Sequence, residues 1–262
     1  MPHDRAAMRT FQVSRVIKHG PGLASLYLQA PFDVAPGQFV NVWLPGIDEK
    51  PFSVSDRIGD EIELSVKAVG PFSTRLANAA VGDWVGVRGP YGHGFTLVAD
   101  SVLVGGGIGI APLRFLSRAL AEEGLRHTLL FGVKSRGDLI FPADYVEATE
   151  LWSDDGSIGA RGLVTVGLKA FLERAAPRVI YGGGPEAMLL AVRELAQKHQ
   201  IPIQLSFERY MKCGFGICGQ CCLDGSGIRL CVDGPVLTEK ELAEVTELGL
   251  PHRKASGARP SH

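Results

Sequence analysis

All five cysteines of this chain fall between positions 213 and 231, and the 212 residues before them contain none. A disulfide scaffold spreads its cysteines so that distant loops are stapled together, and this distribution excludes one. It points instead to a local thiolate site around which the backbone must wrap. Taking Cys213, Cys218, Cys221 and Cys231 gives the spacing C-x4-C-x2-C-x9-C. That begins like the plant-type [2Fe–2S] pattern, C-x4-C-x2-C followed by a distant fourth cysteine. Three ligands so close in sequence need turns that a Cβ would obstruct, and Gly214, Gly216 and Gly219 stand where those turns fall. Their N–H groups are suited to hydrogen-bond the sulfurs. Structural zinc is the alternative, but it takes paired C-x2–4-C knuckles separated by a longer loop, and the second knuckle is missing. Cys222 competes with Cys221 as third ligand, because only one of two adjacent side chains can point at the same centre. Cys221 keeps the x2 spacing, so Cys222 is read as a small buried apolar residue.

The rest of the chain has two rhythms. Short apolar runs at residues 11–17, 24–28, 38–43, 52–55, 61–68 and 84–87 alternate with Gly, Pro and Asp turns, which predicts a small antiparallel barrel. A short helix is expected over 73–80. After Asp100 strands and helices alternate: strands at 102–104, 128–131, 179–181 and 203–206, helices at 112–122 and 186–199. This predicts a parallel sheet covered by helices. Thr238 and Glu241 have capping-box spacing for a last short helix, and residues 254–262 look frayed. His93, His127 and His199 are read as surface or packing residues. Lysine plus arginine number 27 against 28 acidic residues, so no basic surplus exists for nucleic acid or an anionic membrane. The N-terminus leads into no apolar segment and no run approaches membrane-span length, so a cytoplasmic location is expected.

Glycine accounts for 33 of 262 residues, about twice the usual share of ~7%. Part of the excess lies in two loops that each follow a strand and open a helix. The first contains Gly105, Gly106, Gly107 and Gly109 and ends at Pro112; the second contains Gly184 and Pro185. Backbone N–H groups at such a place can hold a pyrophosphate. The first loop is not the G-x-G-x-x-G fingerprint, since its third glycine would fall at Ile110 or Pro112. Two loops at the ends of strands in one parallel sheet still fit a dinucleotide crevice better than either does alone. In the barrel half, Ser73 and Thr74 offer hydroxyls at a helix start, where simple N-capping is an equal reading.

Lys50-Pro51-Phe52-Ser53, Gly70 with Ser73-Thr74, the loop from Gly105, Gly184-Pro185 and the four cysteines occur in an order that resembles the ferredoxin–NADP reductase superfamily. Within it the chain looks like the electron-transfer subunit of dihydroorotate dehydrogenase. The likeness extends to Pro36-Gly37-Gln38, to Asp154-Asp155-Gly156-Ser157 and to Cys231-Val232-Asp233-Gly234-Pro235, and it covers about 11–237. It implies a multi-domain protein: an FAD-binding antiparallel β-barrel at 8–98, an α/β NAD-binding domain at 99–206, a [2Fe–2S] segment at 207–240, and a C-terminal helix and tail at 241–262. Lys50, Pro51, Phe52 and Ser53 then match the strand that touches flavin, and Val66, Lys67, Ala68, Gly70, Ser73 and Thr74 match the other FAD contacts. Two residues depart from the pattern: Lys50 replaces an arginine, and Gly183 stands where many relatives have a cysteine.

The resemblance implies no acid or base on this chain. It implies an oxidoreductase subunit of pyrimidine biosynthesis that takes electrons from a catalytic FMN subunit oxidising dihydroorotate, in a heterotetramer, and passes them through [2Fe–2S] and FAD to NAD. FAD belongs in the middle because it exchanges both single electrons and hydride. The same carriers beside a sulfide dehydrogenase, sulfhydrogenase or ferredoxin–NADP transhydrogenase form the nearest alternative. A non-enzymatic zinc module is the alternative from another class.

Overall fold

A computed structural model describes residues 6–141, 149–254 and 256–258. The first six strands are β1 (Arg9–Gly20), β2 (Leu23–Gln29), β3 (Phe39–Leu44), β4 (Asp48–Ile58), β5 (Glu61–Lys67) and β6 (Trp84–Tyr91). They close into an antiparallel barrel in the order β1-β2-β5-β4-β3-β6. Closure leaves no sheet edge exposed. Alternation along β5 sends Ile62, Leu64 and Val66 into the barrel core and Glu63, Ser65 and Lys67 to the opposite face. A bulge between Val54 and Asp56 in the β4–β5 ladder leaves Asp56 facing outward as well.

Two helix starts lie upstream of their predicted positions. Helix α1 spans Pro71–Ala77 rather than 73–80. Pro71 presets the first helical φ after the extended Gly70, and the Ser73 hydroxyl accepts the Val69 and Gly70 N–H groups. Ser73 therefore sits inside the first turn rather than at the cap. Helix α2, Ile110–Glu122, begins two residues before the predicted 112.

The second sheet contains β7 (Ser101–Gly106), β8 (His127–Val133), β9 (Thr149–Ser153), β10 (Ala160–Arg161), β11 (Ile180–Gly183), β12 (Ile203–Ser206) and β13 (Val236–Thr238). Its order is β10-β9-β8-β7-β11-β12-β13, parallel throughout except for β13. The chain grows outward from β7 through β8 and β9 to β10, then crosses back to β11. The switch point lies between β7 and β11, where the two glycine loops emerge. Helices α3 (Val164–Arg174) and α4 (Glu186–His199) also cover the sheet, and α5 (Glu239–Leu242) carries the predicted Thr238–Glu241 capping box. Because β13 pairs with β12, the cysteine segment is a long excursion between two neighbouring strands. The predicted fraying of 254–262 lies partly outside the described residues. Among the described residues, no helix is long and apolar enough to cross a membrane.

The two halves are bolted together by a buried ion cluster. Arg114 on α2 meets Glu63 at 2.7 Å and Asp56 at 3.3 Å, with the two carboxylate side chains 0% and 2% exposed. Arg118, one turn on, pairs with Asp56 as well. Burial pushes the Asp56 carboxyl up, against the pull of the two guanidinium groups.

Candidate functional site

A cleft of about 900 Å³ opens between the barrel and the second sheet. One wall is β4, with Lys50, Pro51, Phe52 and Ser53, joined by Ser65 and Lys67 from β5 and by Gly70 and Ser73 at the start of α1. The other wall is Gly109 with Pro112, and residues 206–211 after β12. Of the predicted residues, Val66 points into the barrel and is fully buried, so only its backbone can reach a ligand. Ala68 and Thr74 do not line the cleft either. Ser65 does, and the period of two along a strand was the signal that would have found it.

Lys50 hydrogen-bonds the Tyr210 hydroxyl at 3.1 Å and pairs with Asp48 at 2.5 Å, with its ammonium 4.8 Å from the Tyr210 ring centroid. Burial works against its charge, but these two partners hold its pKa above the ordinary lysine value. Phe52 stacks on Phe72 with centroids 6.0 Å apart, which gives the cleft an aromatic floor. Lys67 is tied to Asp138 at 2.7 Å, and that contact holds the Asp138 carboxyl below its usual range.

The glycine loops are built for mutual contact. A Cβ on Gly109 would lie 2.4 Å from Gly184 Cα and N, and one on Gly183 would lie 2.4 Å from Gly109 O. A Cβ on Gly105 would meet Ile110 at the start of α2 at 2.3 Å, and one on Gly106 would meet Met188 at 2.6 Å. Gly105, Gly106, Gly184 and Pro185 therefore pack against neighbours and do not line the cleft. Gly107, with φ 53° and nothing within 4 Å of a Cβ, faces open space. Gly183 also explains the missing cysteine of the sequence pattern: a side chain there would strike the opposite loop. Gly109→Ala is expected to force the loops apart, costing about 1–3 kcal/mol as an overpacked contact. Thermal denaturation checks this, with a lowered midpoint expected.

In the cysteine segment Gly214, Gly216 and Gly219 all have positive φ, at 84°, 83° and 68°. The thiols form two pairs. Cys213 interacts with Cys218, and its sulfur accepts backbone N–H groups of Cys218, Phe215 and Ile217. Burial raises its pKa, but these donors bring it down to about 6. Cys221 shares a hydrogen bond with the Cys231 thiol and accepts the Cys231 N–H at 3.4 Å. That pairing lowers Cys221 to about 7 and raises Cys231. The Gly216 N–H also serves Cys231. Among the described residues, no three His, Cys, Asp or Glu side chains close on one point as a single metal ion requires. Two thiol pairs fit two irons with two thiolates each. Cys222 turns away and donates to the Gly227 carbonyl at 3.1 Å, and burial raises its pKa. Cys218, Phe215 and Ile217 are exposed, whereas Cys221 and Cys231 are buried.

Residues 208–243 match the iron–sulfur cluster binding domain of dihydroorotate dehydrogenase B. A probable dihydroorotate dehydrogenase B (NAD(+)) electron transfer subunit from Methanocaldococcus jannaschii is 39% identical over 251 residues, covering 95% of this chain and 96% of that protein. Its counterpart from Methanothermobacter thermautotrophicus is 40% identical over 257 residues, covering 95% of each. Among solved structures, one of an NADH-dependent reduced ferredoxin-NADP oxidoreductase, described for flavin-based electron bifurcation, superposes with a TM-score of 0.82. It is 28% identical and covers 91% of both chains.

Proposed function

The chain belongs to the family of dihydroorotate dehydrogenase B electron transfer subunits, and from that premise we propose that it carries electrons from a dihydroorotate-oxidising flavoprotein to NAD⁺. It is an oxidoreductase subunit, with a cluster-binding segment and a flavin reductase fold. When bound, the [2Fe–2S] cluster carries single electrons, and FAD collects them and exchanges a hydride with the nicotinamide. We assign Cys213, Cys218, Cys221 and Cys231 to the cluster and the cleft beside Lys50, Pro51, Phe52, Ser53, Gly70 and Ser73 to FAD. One observation carries this reading: residues 206–211 line the cleft, and Cys213 follows two residues later. The cleft and the first thiol pair are thus held by one short stretch of backbone.

The side chains supply binding and orientation. The Phe52–Phe72 stack offers a flat apolar surface, and Lys50, fixed by Asp48 and Tyr210, places one positive charge at its edge. The N–H groups around Cys213 stabilise thiolate over thiol, which is the form that binds iron. The switch point at Gly107 and Gly109 opens beside the cleft, where a dinucleotide can approach. Acid–base work on dihydroorotate falls to the catalytic partner, an FMN protein with which a heterotetramer is proposed.

The anaerobically purified protein should show flavin bands near about 375 and 450 nm with iron–sulfur shoulders. A colourless, zinc-containing protein overturns the proposal. The 28% identical neighbour favours a second reading, in which the same carriers serve a ferredoxin–NADP system. Isolation of the native complex separates the two: the proposal expects an FMN partner that oxidises dihydroorotate, in equal numbers with this chain.

A further inference from the structure

The barrel reaches into the cysteine segment through Arg88 on β6, whose side chain is 10% exposed. Its guanidinium donates to the Lys212 carbonyl at 2.8 Å and to the Cys213 carbonyl. Its Nε donates to Glu49 Oε1 at 2.5 Å. Asn41 adds a second donor to the Lys212 carbonyl at 3.3 Å. The guanidinium carbon lies 5.6 Å from the Phe215 ring centroid and 5.8 Å from that of Tyr91. The Tyr91 ring in turn fills the space where a Cβ on Gly214 would sit. A buried cation on the barrel therefore meets the backbone of the first ligand, with its carboxylate partner behind it.

We propose that Arg88 is a positioning residue that raises the reduction potential of the cluster, and that Glu49 opposes it. The inference rests on the ligand assignment above. Reduction adds one electron from the catalytic partner, converts one ferric ion to ferrous, breaks no bond and takes up no proton. The cluster with its four thiolates gains one negative charge. A cation held close by in a poorly hydrated setting favours the more negative state, and a nearby carboxylate disfavours it. Arg88 is always charged, so its effect does not vary with pH. Its fork also fixes both carbonyls flanking the peptide link into Cys213, which a lysine cannot do.

The test is a redox titration of the holoprotein complex, following the reduced-cluster signal by electron paramagnetic resonance. At the wild-type midpoint, Arg88→Gln should shift the reduced-to-oxidised ratio about tenfold toward oxidised, equivalent to about 59 mV for one electron. Glu49→Gln should shift it toward reduced. Arg88→Lys keeps the charge without the fork and should stay near wild type. A purely structural clamp would give Arg88→Gln and Glu49→Gln the same direction, because each breaks it. Shifts in one direction, or none, overturn the inference. If Arg88→Gln does not hold a cluster, Glu49→Gln decides alone: a rise supports the inference, and a fall or no change overturns it. A wild-type complex with no iron–sulfur signal overturns the ligand assignment itself.

Discussion

Cys221→Ser is expected to abolish the iron–sulfur absorption, while Cys222→Ser leaves it at the wild-type level. The two positions are adjacent, yet their surroundings oppose each other. Cys221 is 2% exposed, pairs with Cys231 and takes the Cys231 N–H on its sulfur. Cys222 spends its thiol on the Gly227 carbonyl and its backbone forms an isolated antiparallel bridge with Arg229. Serine at 221 would present a hydroxyl that resists deprotonation, so an iron site loses one of its two thiolates. Iron content and visible absorption should fall together, with flavin bands retained. Loss of the cluster in Cys222→Ser and its survival in Cys221→Ser would reverse the assignment.

The second large effect belongs to Arg114. Arg114→Met leaves Glu63 and Asp56 buried at 0% and 2% side-chain exposure with one of their cations gone. Removing one member of a buried ion pair costs about 3–5 kcal/mol, because the remaining charge is uncompensated. The consequence reaches past stability. Helix α2 begins at Ile110, beside the loop through Gly107 and Gly109, and its Arg114 is the fastening of that helix to the barrel. Loosening it should weaken NADH binding as well as lower the urea midpoint. The double variant Arg114→Met with Glu63→Met should recover much of the lost stability, since removing both partners leaves fewer uncompensated charges. A single-variant cost under about 1 kcal/mol would show that Arg114 is not the fastening.

Where local chemistry and tertiary structure agree, elements were readable directly. Helix α4 and strand β12 coincide with their predicted spans, 186–199 and 203–206, because apolar periodicity and flanking turns point the same way. β4 runs from Asp48 to Ile58 instead of 52–55, since its ends are held by pairing with β3 and β5 and not by their own apolarity. Helix α3 escaped prediction for a particular reason. It carries Gly167 in its interior and has no side-chain cap, both of which argue against a helix. Gly167 is there because the Trp152 ring lies 2.5 Å from where a Cβ would stand. β9 and β13 are short and make sense only as additions to a sheet whose central strands already exist.

The candidate site divides along the same line. The four-cysteine spacing and its glycines are local: three thiols within nine residues and the turns between them depend on little beyond the intervening backbone, so sequence alone determined that a cluster loop exists. Which of two adjacent cysteines joins it, and how the thiols pair, depends on the return of residues 228–231 against the loop. The Arg88 contact to Cys213 spans 125 positions and the Arg114 contact to Glu63 spans 51. A charge at such a distance carries no mark in the sequence of the group it will meet. Only closure of the barrel and its docking on α2 bring those charges into low-dielectric contact, and there their effect becomes large.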